Sequence, residues 1–322
     1  MDEDTVVERI TAKKIFKNSK IGIKITTLTK VGIGYDIIDV ENPDYAISDV
    51  ENIVAPELIG HPASDQDFMD SIICNTSIEN PAVTMGLSLS ISRAAANTLG
   101  LPFFKYIGGA LSTELPTVGC SLLYDGNNEL IAIPMAESMD EMILCYSKIL
   151  KGLSLNYGNN TVVDIKGRYI CSSIFEELDT FKKIILDISE EEDIKILIGA
   201  SIGNCKIMER SDIYERISSL DYLESPKVVE FDGTLAIEGI DEAADFSILD
   251  PYNISSLSEL YHYIQYILDN GLTPIITCNN TTFSHVAVGL KIPFLRSNIN
   301  SNVLNELWDI ERILNNPNIN RF

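Results

Sequence analysis

The sequence is poor in positive charge: 24 lysine and arginine residues face 47 aspartate and glutamate residues, so the formal net charge is −23 at pH 7. Nucleic acids and anionic lipids are bound mainly through lysine and arginine, so neither a nucleic acid nor a membrane is the expected partner. No uninterrupted apolar stretch approaches the roughly 20 residues of a membrane span. The acidic start, Met1-Asp2-Glu3-Asp4, is unlike a secretory signal. These features predict a cytoplasmic protein.

The sequence also has no Cys-x-x-Cys pair, and its six cysteines lie far apart. Neither a zinc site nor a dense disulfide framework matches such spacing. We therefore predict buried, unpaired thiols in a reducing compartment. The six are Cys74, Cys120, Cys145, Cys171, Cys205 and Cys278.

What the chain does have is enough length and apolar content for about two domains, with 322 residues of which 45% are hydrophobic. Within the first 50 residues, apolar and polar positions alternate, as in Ile21–Thr26, which is typical of half-buried strands. The apolar period lengthens to three and four over Pro81–Leu99, and Asn80 and Gly100 suit the two ends of a helix. A strand meander followed by helices predicts a first domain over residues 1–114.

Residues 115–322 contain short apolar runs that end in polar or glycine clusters about 18 to 28 residues apart. That interval suits one strand plus one helix, so it predicts parallel β/α units. The helix expected over Ser256–Asn270 has a capping box, Ser256 with Glu259, and a stop at Gly271. The runs begin near Ile196, Tyr222, Phe246, Ile275 and Phe294.

If these units close into a barrel, polar residues at the carboxyl ends of the strands meet at one mouth. An open doubly wound sheet is the alternative. The Gly32-Ile33-Gly34 pair lacks a third glycine and precedes no clear helix, so it does not predict a nucleotide site. The residues expected at the mouth are Ser201, Asn204, Glu224, Asp250, Cys278, Asn279 and Arg296.

Several stretches resemble enolase, the phosphopyruvate hydratase family, in the order that the family has them. The resemblance covers about residues 10 to 314. It implies an α/β fold with an enolase-like α+β N-terminal capping domain over 1–114. A C-terminal β/α (TIM-type) barrel over 115–322 would follow, its first elements partly antiparallel. The main stretches are Leu87–Ala96, Gly100-Leu101-Pro102, Tyr106-Ile107-Gly108-Gly109, Glu224-Ser225-Pro226 and Ala287-Val288-Gly289-Leu290.

The reaction that the resemblance implies removes a proton beside a carboxylate, so positive charge is needed locally. The family supplies it with magnesium ions held by three carboxylates. On this chain those positions fall at Ile198, Glu224 and Phe231, with Asp232 next to the last. Since Ile198 offers no oxygen, we expect at most a weakened Mg²⁺ site at Glu224 and Asp232.

The catalytic positions implied by the resemblance are altered as well. The lysine base falls at Asp250, where the charge is reversed. The second lysine falls at Arg296, which keeps a cation able to grip a carboxylate or phosphate. Glu129 takes the place of a catalytic acid whose partner falls near Asn160, an amide. The phosphate clamp falls at 277–280, without its histidine and arginine.

These substitutions lead to three hypotheses. The first is an enolase-like protein that has lost 2-phosphoglycerate dehydration. It would bind a small anionic metabolite through Arg296, or a protein partner such as a related enolase subunit. The second is a lyase or racemase-like enzyme that uses Asp250 or Glu129 with one magnesium ion at Glu224 and Asp232. The third is residual phosphopyruvate hydratase activity. A homo-oligomer is implied by the resemblance alone.

Overall fold

The computed structural model describes residues 3–17, 20–158, 162–203, 211–277, 279–300, 302–315 and 317–321. Of the residues named above, those outside these ranges are Met1, Asp2, Asn160, Asn204, Cys205 and Cys278. The chain divides into two compact units, and the domain boundary at 114/115 stays a prediction. Unit 1 comprises Met1–Ser112 and Asp250–Tyr266, and unit 2 comprises Thr113–Leu249 and Ile267–Phe322.

Unit 1 is built on an antiparallel sheet in the order β1-β2-β3, with strands β1 (Val7–Lys17), β2 (Lys20–Thr29) and β3 (Ile33–Asp39). The alternation expected over Ile21–Thr26 is present, because Ile23 and Ile25 are fully buried in the core of this unit. Its helices are α1 (Pro43–Ser48), α2 (Ala55–Leu58), α3 (Gln66–Cys74), α4 (Pro81–Thr98) and α5 (Phe103–Gly108), with a π-helical segment at Asp49–Val54.

Helix α4 confirms the helix expected from Pro81 onward. The Asn80 side chain accepts a hydrogen bond from the Ala82 amide at 3.0 Å, and Gly100 follows with φ of +66°. The strand β3 lies so close to α4 that a Cβ on Gly34 would stand 2.0 Å from the Ser90 carbonyl oxygen. The glycines around Ile33 therefore serve helix–sheet packing.

Residues 250–266 begin with a 3₁₀ helix at Pro251–Asn253 and continue into α9 (Leu257–Asp269). The expected capping box is confirmed. The Ser256 hydroxyl accepts from the Glu259 amide at 3.2 Å, and the Glu259 carboxylate accepts from the Ser255 amide at 3.0 Å. Gly271, with φ of +79°, follows this helix as expected.

Unit 2 contains a nine-stranded sheet that closes when β13 (Phe294–Asn298) pairs with β5 (Thr117–Tyr124). Strand β7 (Tyr169–Ile170) is attached outside the ring, so nine minus one leaves eight strands in the closed barrel. The strands are β5 (Thr117–Tyr124), β6 (Asn128–Pro134), β7 (Tyr169–Ile170), β8 (Ile196–Ile202), β9 (Tyr222–Ser225), β10 (Thr234–Glu238), β11 (Phe246–Leu249), β12 (Thr273–Thr277) and β13 (Phe294–Asn298), while β4 (Glu114–Leu115) pairs with β14 (Asn318–Ile319).

The helices of unit 2 are unevenly distributed along the chain. They are α6 (Met139–Tyr157), α7 (Ile174–Glu192), α8 (Ser211–Ile217), α10 (Thr282–Gly289) and α11 (Val303–Leu314). Apolar side chains from seven strands form a core cluster, which contains Ile131, Ile133, Leu197, Tyr222, Ala236, Phe246, Ile275 and Phe294.

The predicted fold class, an enolase-like capping domain with a TIM-type β/α barrel, is wrong in the light of these pairings. The barrel is a closed mixed sheet: β6 runs antiparallel to β5 and β8, as the resemblance implied for the first elements, and the other barrel pairs are parallel. Strands β9, β10 and β11 follow one another with no helix in 226–245, all of which the structure describes. The interval from Tyr222 to Phe246, read as a strand plus a helix, contains the extra strand β10 instead.

Among the described residues, no helix is both long and apolar enough to cross a bilayer. Of the described cysteines, Cys120 and Cys145 are buried, whereas Cys74 is exposed and Cys171 is half-buried. The expectation of buried thiols is therefore met by two of these four. Burial raises the pKa of Cys120 to about 12, so this thiol is protonated at neutral pH.

Candidate functional site

Arg296 lies on β13 at the centre of a buried polar cluster, and the residue is 7% exposed. Its Nε donates to Glu224 Oε1 at 2.5 Å, and its Nη2 donates to Glu129 Oε2 at 3.0 Å. Its Nη1 donates to the Gly119 carbonyl oxygen at 3.3 Å. Three oxygens, two of them anionic, therefore hold the guanidinium on three sides.

Strand register brings these residues together. Glu129 on β6 lies opposite Ser201 on β8, and Ser201 lies opposite Glu224 on β9. Because β6 runs antiparallel to its neighbours, a residue near its start lies level with residues near the carboxyl ends of β8 and β9. Arg296 lies opposite Gly119 on β5.

A second arginine, Arg168, extends the cluster. Its Nη1 pairs with Glu129 Oε1, while its Nε and Nη2 donate to Asp164 Oδ2 at 2.8 and 2.6 Å. Its guanidinium carbon lies 3.7 Å from the centroid of the Tyr124 ring, in cation–π geometry. Glu129 thus bridges two arginines, each of which also contacts another carboxylate.

The electrostatics follow from this pairing. Burial by itself would raise the pKa of Glu129, but the guanidinium groups of Arg296 and Arg168 hold it below its ordinary value. Burial would lower the pKa of Arg296, and the carboxylates of Glu224 and Glu129 raise it above its ordinary value. Both groups are therefore charged at neutral pH.

The formal charges of the cluster sum to a negative value. Its two guanidinium groups, Arg296 and Arg168, face the three carboxylates of Glu129, Glu224 and Asp164. The sum is 2 − 3 = −1. The positive charge of Arg296 is therefore neutralised by carboxylates of the protein itself.

Tyr222 fixes the orientation of Glu224. Its hydroxyl donates to Glu224 Oε1 at 3.0 Å, the same oxygen that accepts from Arg296. Burial raises the pKa of Tyr222 well above its ordinary value, and the charge on Glu224 raises it further. The phenol is therefore neutral and acts as a donor.

The structure does not bring Glu224 and Asp232 together. Glu224 lies opposite Ala236 on β10, whereas Asp232 is exposed and precedes the first residue of that strand. Asp232 and Gly233 form a bend before the strand, and Glu224 is bound by Arg296 and Tyr222 instead.

A family-type magnesium site does not fit the residues present. Ile198 is buried on β8 and supplies no oxygen. Glu224 Oε1 is taken by Arg296 and Tyr222, and the guanidinium fills the space towards which Glu129 and Glu224 point. Within the described parts of the chain, no group of three or more His, Cys, Asp or Glu side chains could hold a metal ion.

The remaining predicted residues have local roles. Asp250 is exposed after β11, and its carboxylate accepts from the Tyr252 amide at 3.0 Å, capping the 3₁₀ helix. Asn279 Oδ1 accepts from the Asn298 amide at 2.8 Å. These contacts are typical of turn and helix-end stabilisation.

Arg168 and Asp164 belong to the cluster but were not predicted from the sequence. The Asp164 carboxylate accepts from the amides of Lys166 and Arg168, both at 2.9 Å, and Gly167 has φ of +86°. An Asp-x-x-Gly spacing is a turn signal, so the sequence does indicate a tight turn here. It does not indicate that the turn delivers Arg168 to Glu129, 39 residues away.

Comparison with known proteins finds a full-length relative and also partial ones. The chain is 48% identical over 320 positions to the uncharacterized protein MJ0198 of Methanocaldococcus jannaschii, covering 99% of both chains. It is 32% identical over 136 positions to the enolase of Methanococcus vannielii, covering 36% of this chain. It is also 31% identical over 102 positions to the enolase of Methanothrix thermoacetophila, covering 30% of this chain.

The enolase similarity is confined to part of the chain. The matched regions span 32% and 24% of the lengths of those two enolases. No family model matches the sequence. The chain thus contains a region related to enolases, and, by its full-length identity, it belongs to the same protein family as MJ0198 of Methanocaldococcus jannaschii.

Proposed function

We propose that this protein is a divergent relative of the enolases that does not dehydrate 2-phosphoglycerate and that acts by binding a protein partner. The observation that supports the loss of the reaction is the neutralisation of Arg296 by Glu129 and Glu224. The partial identity to enolases supports the relationship.

The lost reaction follows from the charge of the cluster. Dehydration of a phosphorylated hydroxy acid places additional negative charge on a substrate that is already anionic, so the site must supply positive charge. The cluster around Arg296 has a formal charge of −1. Asp250, at the position that corresponds to the family's lysine base, is an acid and would repel the anionic substrate. An active lyase is therefore disfavoured.

Capture of a small anion through Arg296 is disfavoured for the same reason. An incoming carboxylate or phosphate would have to displace Glu224 or Glu129, each of which is already buried against the guanidinium. Removing one partner of a buried ion pair costs about 3–5 kcal/mol, and the contact with the incoming anion would have to offset that cost. A protein partner requires no such exchange.

Residues 162–170 form a hairpin, with an antiparallel bridge between Val163 and Tyr169, and this hairpin supports a protein partner. Its aliphatic side chains are largely in solvent, with Val162 66% and Ile165 53% exposed, and Val163 and Ile170 are exposed too. Exposed aliphatic side chains gathered in one short segment are a feature of protein–protein contact sites. We propose that the partner is an enolase-type subunit, either a second copy of this chain or a related enolase.

A direct assay tests the loss of the reaction. Purified protein is incubated with 2-phosphoglycerate and Mg²⁺, and formation of phosphoenolpyruvate is compared with a protein-free blank. We expect no turnover above the blank, and the same result for Glu224→Gln. The proposal would be refuted if the wild type formed phosphoenolpyruvate above the blank and the variant Glu224→Gln formed less.

Light scattering tests the partner. We expect an oligomer, alone or with an added enolase, and we expect the double variant Val163→Glu/Ile165→Glu to dissociate it. Leu186→Glu is the matched control, because Leu186 is an equally apolar exposed residue on α7, outside the hairpin. A wild type that is monomeric alone and in the mixture would contradict the proposed partner.

A further inference from the structure

Positive charge is concentrated in one segment of this acidic chain. Seven of the 24 lysine and arginine residues lie within 9–30, and residues 9–35 contain no aspartate or glutamate. The rest of the chain has 24 − 7 = 17 cations and a formal charge of 17 − 47 = −30. The net charge of −23, from which no membrane partner was expected, thus averages a cationic segment with a strongly anionic remainder.

This segment forms the strands β1 and β2 of unit 1, with cations on the sheet face opposite the core. Lys24 lies between Ile23 and Ile25, which are buried in the core, so its side chain is on the other face. Lys13 lies directly opposite Lys24. Like charges in this position destabilise an antiparallel pair, and the Lys24 ammonium lies 3.6 Å from the centroid of the Tyr35 ring. An anionic partner would relieve the repulsion.

The far end of the β1–β2 pair adds two exposed apolar side chains. Phe16 lies opposite Ile21, and the two are 80% and 54% exposed. Strand β3 does not cover this end, because it pairs with β2 from Gly22 onward. Lys13 and Lys20 are exposed close by, and neither forms a salt bridge with a residue that the structure describes. Apolar and cationic side chains are therefore available together.

We propose that this end of unit 1 docks on a lipid bilayer that contains anionic phospholipids. We call it the basic tip, and it consists of Lys13, Phe16, Lys20, Ile21 and Lys24. The two apolar side chains enter the headgroup region while the ammonium groups contact lipid phosphates, so burial and charge attraction act together. The basic tip belongs to unit 1, and the proposal does not depend on the protein partner of residues 162–170.

The anionic remainder of the chain does not prevent such docking. At physiological ionic strength, exposed charges more than about 8 Å apart are largely screened from each other. The bilayer surface therefore responds mainly to the side chains next to it. Clusters of about four to eight lysine and arginine residues bind anionic lipids, and residues 9–30 contain seven.

A nucleic acid fits this surface less well. Single strands are bound by cations together with aromatic rings on which the bases stack. On the cationic face, the Tyr35 ring is covered by the Lys24 ammonium. Phe16 lies on the opposite face, since its cross-strand neighbour Ile21 alternates with the buried Ile23. The apolar pair and the cations thus suit a lipid surface better than stacked bases.

The experiment is sedimentation of the full chain with lipid vesicles. Vesicles of phosphatidylcholine alone are compared with vesicles of phosphatidylcholine and phosphatidylglycerol in equal amounts. We expect the protein to bind the mixed vesicles about tenfold or more tightly than the neutral ones. Binding to the mixed vesicles should weaken as salt is added, because salt screens the charges.

Charge reversal tests the cations of the basic tip. We expect Lys13→Glu/Lys20→Glu to bind the mixed vesicles about tenfold or more weakly than the wild type, since each lysine near the surface adds to the attraction. Lys151→Glu/Lys183→Glu is the matched control, because it reverses two exposed lysines on α6 and α7. The control should bind as the wild type does.

A second variant tests the apolar pair. We expect Phe16→Ser/Ile21→Ser to weaken binding to the mixed vesicles, whereas Leu155→Ser, at a residue 77% exposed on α6, should not. All these side chains are exposed, and circular dichroism checks that each variant is folded. The proposal is overturned if both tip variants bind as the wild type does, or if neutral and mixed vesicles are bound equally. It is also overturned if the wild type binds no mixed vesicles, whether or not a single-stranded oligonucleotide binds in their place.

Discussion

Replacing Glu129 by glutamine tests how the cluster contributes to the stability of the barrel. Glu129 accepts from Arg296 through one oxygen and from Arg168 through the other. A carboxamide of the same shape has one oxygen and one NH₂ group. In Glu129→Gln, therefore, one guanidinium faces a donor, and both arginines lose a charge partner.

The size of the effect can be estimated from burial. Removing one partner of a buried ion pair costs about 3–5 kcal/mol. The side chain of Glu129 is 22% exposed, so solvent screens part of the interaction. We therefore expect the free energy of unfolding to fall by about 3 kcal/mol, the lower end of that range.

The measurement is urea unfolding monitored by circular dichroism, repeated as a function of pH. The folded-state pKa of Glu129 lies below its unfolded value, which is about 4.3 for a glutamate. The stabilisation is thus fully present above the unfolded pKa and is lost as the pH falls through the folded pKa. The difference in free energy of unfolding between the wild type and Glu129→Gln should therefore be largest at neutral pH. It should become smaller below about pH 4.

Glu190→Gln is the control, because Glu190 is an exposed acid near the end of α7. We expect the free energy of unfolding of this variant to be within about 0.5 kcal/mol of the wild-type value. If Glu129→Gln is as stable as the control at pH 7, the ion pairs contribute nothing and our account of the cluster is wrong.

Three further predictions concern the effect of single substitutions on stability, at Gly34 and Asp70 in unit 1 and at Tyr146 in unit 2. Gly34→Ala should lower the free energy of unfolding by about 1–3 kcal/mol or more, because its Cβ would clash with the Ser90 carbonyl; denaturant unfolding measures this. Tyr146→Phe should cost about 1–3 kcal/mol in the same assay, because the Tyr146 hydroxyl, which accepts from the Cys120 amide at 3.0 Å, is buried. Burial raises the pKa of Asp70 above its unfolded value. The wild type should therefore gain stability relative to Asp70→Asn as the pH falls through the interval between the two pKa values, and an opposite slope would contradict this sign.

Local patterns were sufficient for the helices that carry their own start and stop signals. Helix α4 spans Pro81–Thr98 behind the Asn80 cap, and α9 spans Leu257–Asp269 behind the Ser256/Glu259 box. In both, the information lies within a few residues along the chain, where periodicity and capping preferences act.

Strand β10 was not predicted from the local sequence pattern. The interval between Tyr222 and Phe246 is long enough for a strand plus a helix, and spacing cannot distinguish that from two strands. The segment Thr234–Glu238 becomes a strand because it pairs with β9 on one side and β11 on the other. Its structure depends on neighbours that the local pattern does not reveal.

The candidate site divides in the same way. The sequence by itself determined the residue types: an apolar Ile198, a reversed charge at Asp250 and a retained cation at Arg296. Only the tertiary structure decided that Arg296 is neutralised, because Glu224 and Glu129 lie 72 and 167 residues away along the chain. The antiparallel direction of β6 and the register across β8 bring these carboxylates to the guanidinium, and strand pairing depends on backbone hydrogen bonds between distant segments.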